Sequence, residues 1–151
     1  MSSGHVLSFS ATHAGFERGF ADLREFLGRH PLEDRVRYFC ELTFEEIVTN
    51  IMKYGYADDR EHGIAVSLDV RHDAIVMTFE DDGVAFNPLE HPEPAHPNTA
   101  IGGRGLVLLR IAARDIDYER TPDGRNRLEV TVGPRDGLPP GPAAASYSTK
   151  R

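Results

Sequence analysis

The apolar residues of this chain change period partway along, and that change limits the possible folds more than any other feature. Val36, Cys40, Phe44, Ile47, Val48 and Ile51 recur at spacings of three and four, which marks one buried face of a helix. Ile64, Val66, Leu68 and Val70 then fall at every second position, as do Ile75, Met77 and Phe79. Alternation is the period of a strand with one face on a core. A chain carrying both periods must bury helices against a sheet.

The remaining segments extend this pattern. "HVLSFSA" alternates and predicts a first strand. Thr12 is placed to cap a helix from about His13 to Gly28, with Phe16, Phe20, Leu23 and Leu27 on one face. The second helix is expected to start at Pro31 and to stop at "GYADD". "GIAVSLDVR" and "DAIVMTFED" read as strands joined tightly through "RHDA". From Gly83 to about Ile101 the chain reads as a loop with Pro88, Pro92, Pro94 and Pro97. Loops of that length in a compact domain often act as lids. "GLVLLRIAAR" predicts a short helix beginning near Gly103, and "IDYERTPDGRNRLEVTV" a strand, a turn at Pro122 to Gly124, and a last strand. The order strand, two helices, two strands, loop, helix, two strands is not the alternation of a doubly wound fold. It predicts an α/β two-layer sandwich: a mixed, mostly antiparallel sheet with helices on one face. Residues 5–133 form the expected domain, and the Gly-, Pro- and Ala-rich residues 134–151 a flexible C-terminal tail.

Bulk properties narrow the function. With 151 residues and 40% apolar content the chain suits a single core. A formal net charge of -7 argues against direct nucleic-acid binding, which needs clustered cations, but allows a nucleotide held with a divalent cation. One cysteine, Cys40, excludes an intramolecular disulfide and reads as a small core residue. No apolar run approaches the ~20 residues of a membrane span. "MSSGHVLSFS" lacks the pattern of a signal peptide, so a cytoplasmic location without membrane attachment is expected. The seven histidines show no zinc-site spacing and read as structural or solvent-facing.

Three stretches carry candidate chemistry. "FEEIVTNIMKYG" sets Glu46, Asn50 and Lys53 on one side of the second helix, beside the apolar face. A carboxylate and an amide oxygen there suit Mg²⁺, which is completed by water and substrate phosphates. A solvated face with Glu/Lys pairs explains the same residues. "FEDDGVAFNP" ends a strand in Asp81 and Asp82, followed by Gly83 and Phe86. A carboxylate there can accept from the amino group of a planar base, and glycine permits close backbone approach. An ordinary acidic turn reads alike. In "IGGRGLVLL", glycines open a helix whose first amides could face phosphate oxygens, or they form a hinge with no ligand. Neither a P-loop nor a dinucleotide fingerprint is present.

Taken together, the order and spacing of these stretches resemble the GHKL, or Bergerat, ATP-binding fold of histidine-kinase-like ATPases. Within it the chain is most similar to the anti-sigma-factor serine kinases of the RsbW and SpoIIAB type. "ELTFEEIVTNIMKYGY" resembles the family's N-box, "EDDGVAFNP" its first glycine box, and "GGRGLVLLRIAARDIDYERTPDGRNRLEVTV" its second box and closing hairpin. The resemblance implies ATP and Mg²⁺ as cofactors. It implies Asn50 as the Mg²⁺ ligand, Glu46 as the base toward an attacking hydroxyl, and Asp81 as acceptor of the adenine amino group. Gly83 and Phe86 would lie against the nucleotide, Gly103, Gly105 and Leu106 would form the phosphate-facing turn, and 84–102 the ATP lid. Lys53 and Arg104 are candidates for phosphate contacts. It also implies a STAS-domain antagonist protein as phosphoryl acceptor, a sigma factor as second partner, and a homodimer.

The chain departs from the family pattern at Tyr54, where histidine is common, at Ala85, where glycine is common, and at Arg104 between the glycines. Three functions follow from the resemblance. They are a serine/threonine protein kinase of anti-sigma type, a nucleotide-binding partner switch with little or no kinase activity, and a weak Mg²⁺-dependent ATPase.

Overall fold

The computed structural model describes residues 3–87 and 113–133. In chain order these form β1 (Ser3–Ser10), α1 (His13–Gly28), α2 (Asp34–Tyr54), β2 (Gly63–Arg71), β3 (Ala74–Asp81), β4 (Ala113–Arg120) and β5 (Asn126–Val132). The strands make one sheet in the order β1-β2-β3-β5-β4, and all four pairings among the described residues are antiparallel. Both helices pack on one face, giving the two-layer α/β sandwich that the two periods predict. The lid loop beyond Asn87, the helix start near Gly103 and the C-terminal tail lie outside the described residues.

Local chemistry explains the element ends. Thr12, in extended conformation, accepts a hydrogen bond from Gly15 N on Oγ1 at 3.0 Å, so α1 starts where a threonine cap predicts. The second helix begins at Asp34, three residues after Pro31. Leu32 N donates to His30 O at 2.9 Å, which turns the chain before the helix can start. Arg71 faces Ala74 across a two-residue hairpin in which His72 takes a φ of 53°, as such a tight turn requires. The β4–β5 turn uses Gly124 at φ 82°, a conformation that side chains disfavour. Ala113 and Arg114, expected as the end of a helix, instead open β4. Ala113 is buried opposite Val132, and a bulge before Asp115 re-sets the pairing. The short apolar run before them could not distinguish helix from strand by itself.

The core lies between the helices and the sheet. Val36, Cys40, Phe44, Ile47, Val48 and Ile51 on α2 are all buried, as their spacing predicts. Leu23 and Leu27 of α1 are buried too, while Phe16 and Phe20 are partly buried against the core. Phe44 joins the two layers: its ring lies 5.5 Å from Phe9 of β1 and from Phe16, and 5.8 Å from Phe20. With Phe44 fixed, the rest of α2 is set in rotation, and Glu46 and Asn50 come to the margin of the core, half-buried.

Candidate functional site

At one end of the sheet, Ile64, Asp81, Asn126 and Arg120 are aligned across β2, β3, β5 and β4. Alternation puts Asp81 in phase with Phe79 and Met77, and Asn126 in phase with Leu128 and Val130, so both polar residues point to the core side. Both are 3% exposed. Polar groups buried this deeply must be hydrogen-bonded to be tolerated, and these answer each other. Asn126 Nδ2 donates to Asp81 Oδ1 at 3.0 Å, and Gly83 N donates to the same oxygen at 2.8 Å. Asp81 Oδ2 receives no donor among the described residues. Burial pushes the Asp81 carboxyl above its ordinary range, with Asp82 adding to the rise; the Asn126 and Gly83 hydrogen bonds and Arg120 oppose it.

Asn126 gathers the surrounding segments. Its Nδ2 also donates to Val84 O at 2.8 Å. Its Oδ1 accepts from Phe86 N at 3.1 Å, Tyr118 Oη at 2.6 Å and Arg120 Nη1 at 3.2 Å. Arg120 Nη1 reaches Gly83 O at 2.9 Å as well. The segment after β3 is thus tied to the β4–β5 hairpin.

From the other side the same segment meets the end of α2. Val84 N donates to Gly55 O at 2.7 Å. A Cβ on Gly83 would lie 2.1 Å from Gly55 O, so only glycine permits this approach. The Tyr54 and Phe86 rings stand 6.0 Å apart. One and two turns back along α2 are Asn50 and Glu46, half-buried, while Lys53 is exposed. Burial first, then the like charge of Glu45, push the Glu46 carboxyl up to about 7, against the pull of Lys53. A carboxyl poised near neutrality can take or give a proton at working pH.

Below this junction, His62 acts as a clasp. Its side chain is 7% exposed. Nδ1 lies 3.0 Å from Asp82 Oδ1 and Nε2 lies 2.6 Å from Asp58 Oδ1, while the ring stacks on Tyr56 at 4.0 Å. Donating from both nitrogens requires the protonated imidazole. The Asp58 hydrogen bond is the main cause that raises the His62 pKa, and the His62 hydrogen bond lowers that of Asp58. The Tyr56 hydroxyl is buried without a partner among the described residues. Burial and the charges of Asp81 and Asp82 push its pKa up. Among the described residues the buried Tyr56 hydroxyl has no partner and feels the charge of Asp81, whose two donors both lie on Oδ1, so the site can take a polar ligand group.

The structure brings Asp81, Gly83 and Phe86 against the end of the helix that carries Glu46, Asn50 and Lys53. Gly103, Arg104, Gly105 and Leu106 lie outside the described residues. Among the described residues no group of three His, Cys, Asp or Glu side chains could hold a metal alone. The oxygen pair on α2 nonetheless suits Mg²⁺, which needs only one or two protein oxygens when phosphates and water supply the rest. Sequence reasoning passed over Asn126, Tyr118, Tyr56 and the His62 clasp. Asn126 did carry a signal: an amide at the inward phase of "NRLEVTV", where the other inward residues are Leu and Val.

Residues 9–132 match the model of the histidine kinase-like ATPase domain, and the chain belongs to that family. It is also similar to a curated protein, the Anti-sigma F factor of Bacillus subtilis (strain 168), with 22% identity over 90 residues. That match covers 57% of this chain and 62% of the relative's length. Among solved structures it is similar to the histidine kinase domain of a blue-light activated histidine kinase from Erythrobacter litoralis. The TM-score is 0.48 at 15% identity, covering 80% of this chain and 59% of that one. A second is the Acinetobacter baumannii histidine kinase AdeS, with a TM-score of 0.43 at 12% identity, covering 87% of this chain and 67% of that one.

Proposed function

We propose that this ATP-binding domain is a serine/threonine protein kinase of the anti-sigma type, which phosphorylates a STAS-domain antagonist and holds a sigma factor. The observation that carries the nucleotide reading is Asp81: a buried carboxylate whose donors among the described residues both sit on one oxygen, leaving the other for the amino group of adenine. The similarity to an anti-sigma factor supports the choice of partners.

In this reading Asn50, with Glu46 nearby, would hold Mg²⁺, and the ion would neutralise charge on the phosphates. Gly83 and Phe86 would lie along the base, and Lys53 and Arg104 would contact phosphate. Gly103, Gly105 and Leu106 would supply the helix-opening amides. Glu46 acts on the acceptor. In its ionised form it takes the proton of the serine or threonine hydroxyl. The hydroxyl oxygen bonds to the γ-phosphorus, the bond from that phosphorus to the bridging oxygen breaks, and ADP leaves with the electron pair. A carboxyl with a pKa of about 7 suits this role, since it is substantially ionised at neutral pH and still basic enough to accept the proton.

The test is transfer of labelled γ-phosphate to purified STAS-domain antagonists, with Glu46→Gln as control. Transfer by the wild type and its loss in the variant support the kinase. ATP binding with no transfer favours a partner switch without kinase activity. Phosphate release into water without transfer favours a weak ATPase.

A further inference from the structure

We infer that Asn126 is a positioning residue that fixes Asp81 as a one-oxygen acceptor and thereby sets which nucleobase the site takes. This rests on the nucleotide reading above and deepens it.

The Asn126 amide has only one tenable orientation. Its oxygen faces three donors, Phe86 N, Tyr118 Oη and Arg120 Nη1, and its nitrogen faces two acceptors, Asp81 Oδ1 and Val84 O. Turned over, the amide would set oxygen against a carboxylate and a carbonyl, and N–H groups against two obligatory donors, Phe86 N and Arg120 Nη1, with only the Tyr118 hydroxyl able to accept. Donors from three separate backbone and side-chain positions therefore hold the Nδ2 group against Asp81.

That constraint reaches the ligand side of Asp81. With Asn126 Nδ2 and Gly83 N both on Oδ1, Oδ2 is the Asp81 oxygen that the described residues leave without a donor. Burial favours the neutral acid, and the two N–H donors favour the ionised form. The choice between these forms decides base preference. An ionised Asp81 accepts from an exocyclic amino group and repels a carbonyl; a protonated Asp81 could donate to a carbonyl. Asn126 therefore biases the site toward a base with an amino group at that edge, such as adenine, over one with a carbonyl, such as hypoxanthine. The same amide ties Val84 and Phe86 in place, so acceptor and adjoining segment are set together.

The experiment measures ATP and inosine triphosphate affinity by calorimetry on the full chain, across neutral pH, for wild type, Asn126→Asp and Tyr118→Phe. The wild type is expected to favour ATP by about tenfold or more, the scale of a polar group left without its partner. In Asn126→Asp the new carboxyl faces Asp81, and the pair shares a proton. While that proton is present it replaces the amide donor; once it leaves, the two carboxylates repel. ATP affinity should then hold on the acid side and fall by about tenfold as pH rises, with discrimination shrinking in parallel. A residue that only supported the fold would weaken both nucleotides equally at every pH. Tyr118→Phe removes one donor from Oδ1 and leaves Nδ2 intact, so it serves if the first variant does not fold. It should narrow the ATP preference by about threefold. Preferences and pH profiles parallel to wild type in the folded variants would overturn the inference. Equal binding of both nucleotides by the wild type overturns it while leaving the nucleotide reading standing. Binding of neither overturns both.

Discussion

Gly83→Ala tests the junction between α2 and the segment after β3. The added Cβ would sit 2.1 Å from Gly55 O, where contacts below 3.0 Å essentially never occur, and 3.0 Å from Asp81 Oδ1. One segment must move by about 0.9 Å. The neighbour is backbone at a helix end, so the strain cannot be relieved by a rotamer change. Movement stretches the Val84 N to Gly55 O bond, now 2.7 Å, and the Gly83 N to Asp81 Oδ1 bond, now 2.8 Å. Overpacking costs about 1–3 kcal/mol, and weakening two partly buried hydrogen bonds adds about 1 kcal/mol each. The expected loss is therefore about 3–5 kcal/mol, a fall in Tm on the order of 10 °C for a chain of this size. Thermal and urea unfolding measure it, and an ATP titration of the folded variant reads the effect on Asp81. A Tm close to wild type with unchanged ATP affinity would refute the claim that this contact is tight and shapes the site.

Two further predictions concern protons. In the proposed kinase, phosphoryl transfer should rise with pH through the Glu46 titration, because the base form is the ionised one; Lys53→Met, which removes a cation that lowers the Glu46 pKa, should move the inflection upward, and a pH–rate profile of each reads this. The His62 clasp should stabilise the fold below the ordinary histidine pKa and lose that contribution as pH rises through the raised folded-state value. Urea unfolding of wild type and His62→Gln should therefore converge toward alkaline pH, and a constant difference between them would contradict the clasp.

The fold was legible where local rules agree. Thr12 before an apolar stripe marked the start of α1, and large apolar residues at every second position marked β2 and β3, because capping and strand period act over a few residues. Boundaries failed where two rules compete. Pro31 suits a helix start, yet the turn at His30 to Leu32 takes precedence, and the apolar run before Ala113 has no period that separates helix from strand. In the site, Asp81 and Gly83 were visible as a strand end followed by glycine. Asn126 and His62 were not singled out, since their roles depend on partners distant in sequence. Asn126 bonds Asp81 across two strands, and His62 reaches Asp82, twenty residues away. Nothing in the residues around either position specifies those contacts; only the register of the finished sheet does.

The central claim is that the polar end of this sheet binds ATP with Mg²⁺ held from α2. An ATP titration by calorimetry, with and without Mg²⁺, on wild type and Asn50→Ala tests it most directly. The account predicts Mg²⁺-dependent binding by the wild type that is lost in the variant while the variant's thermal unfolding stays close to wild type. Absence of binding by the wild type at saturating nucleotide, or Mg²⁺-dependent binding unaffected by Asn50→Ala, would contradict it.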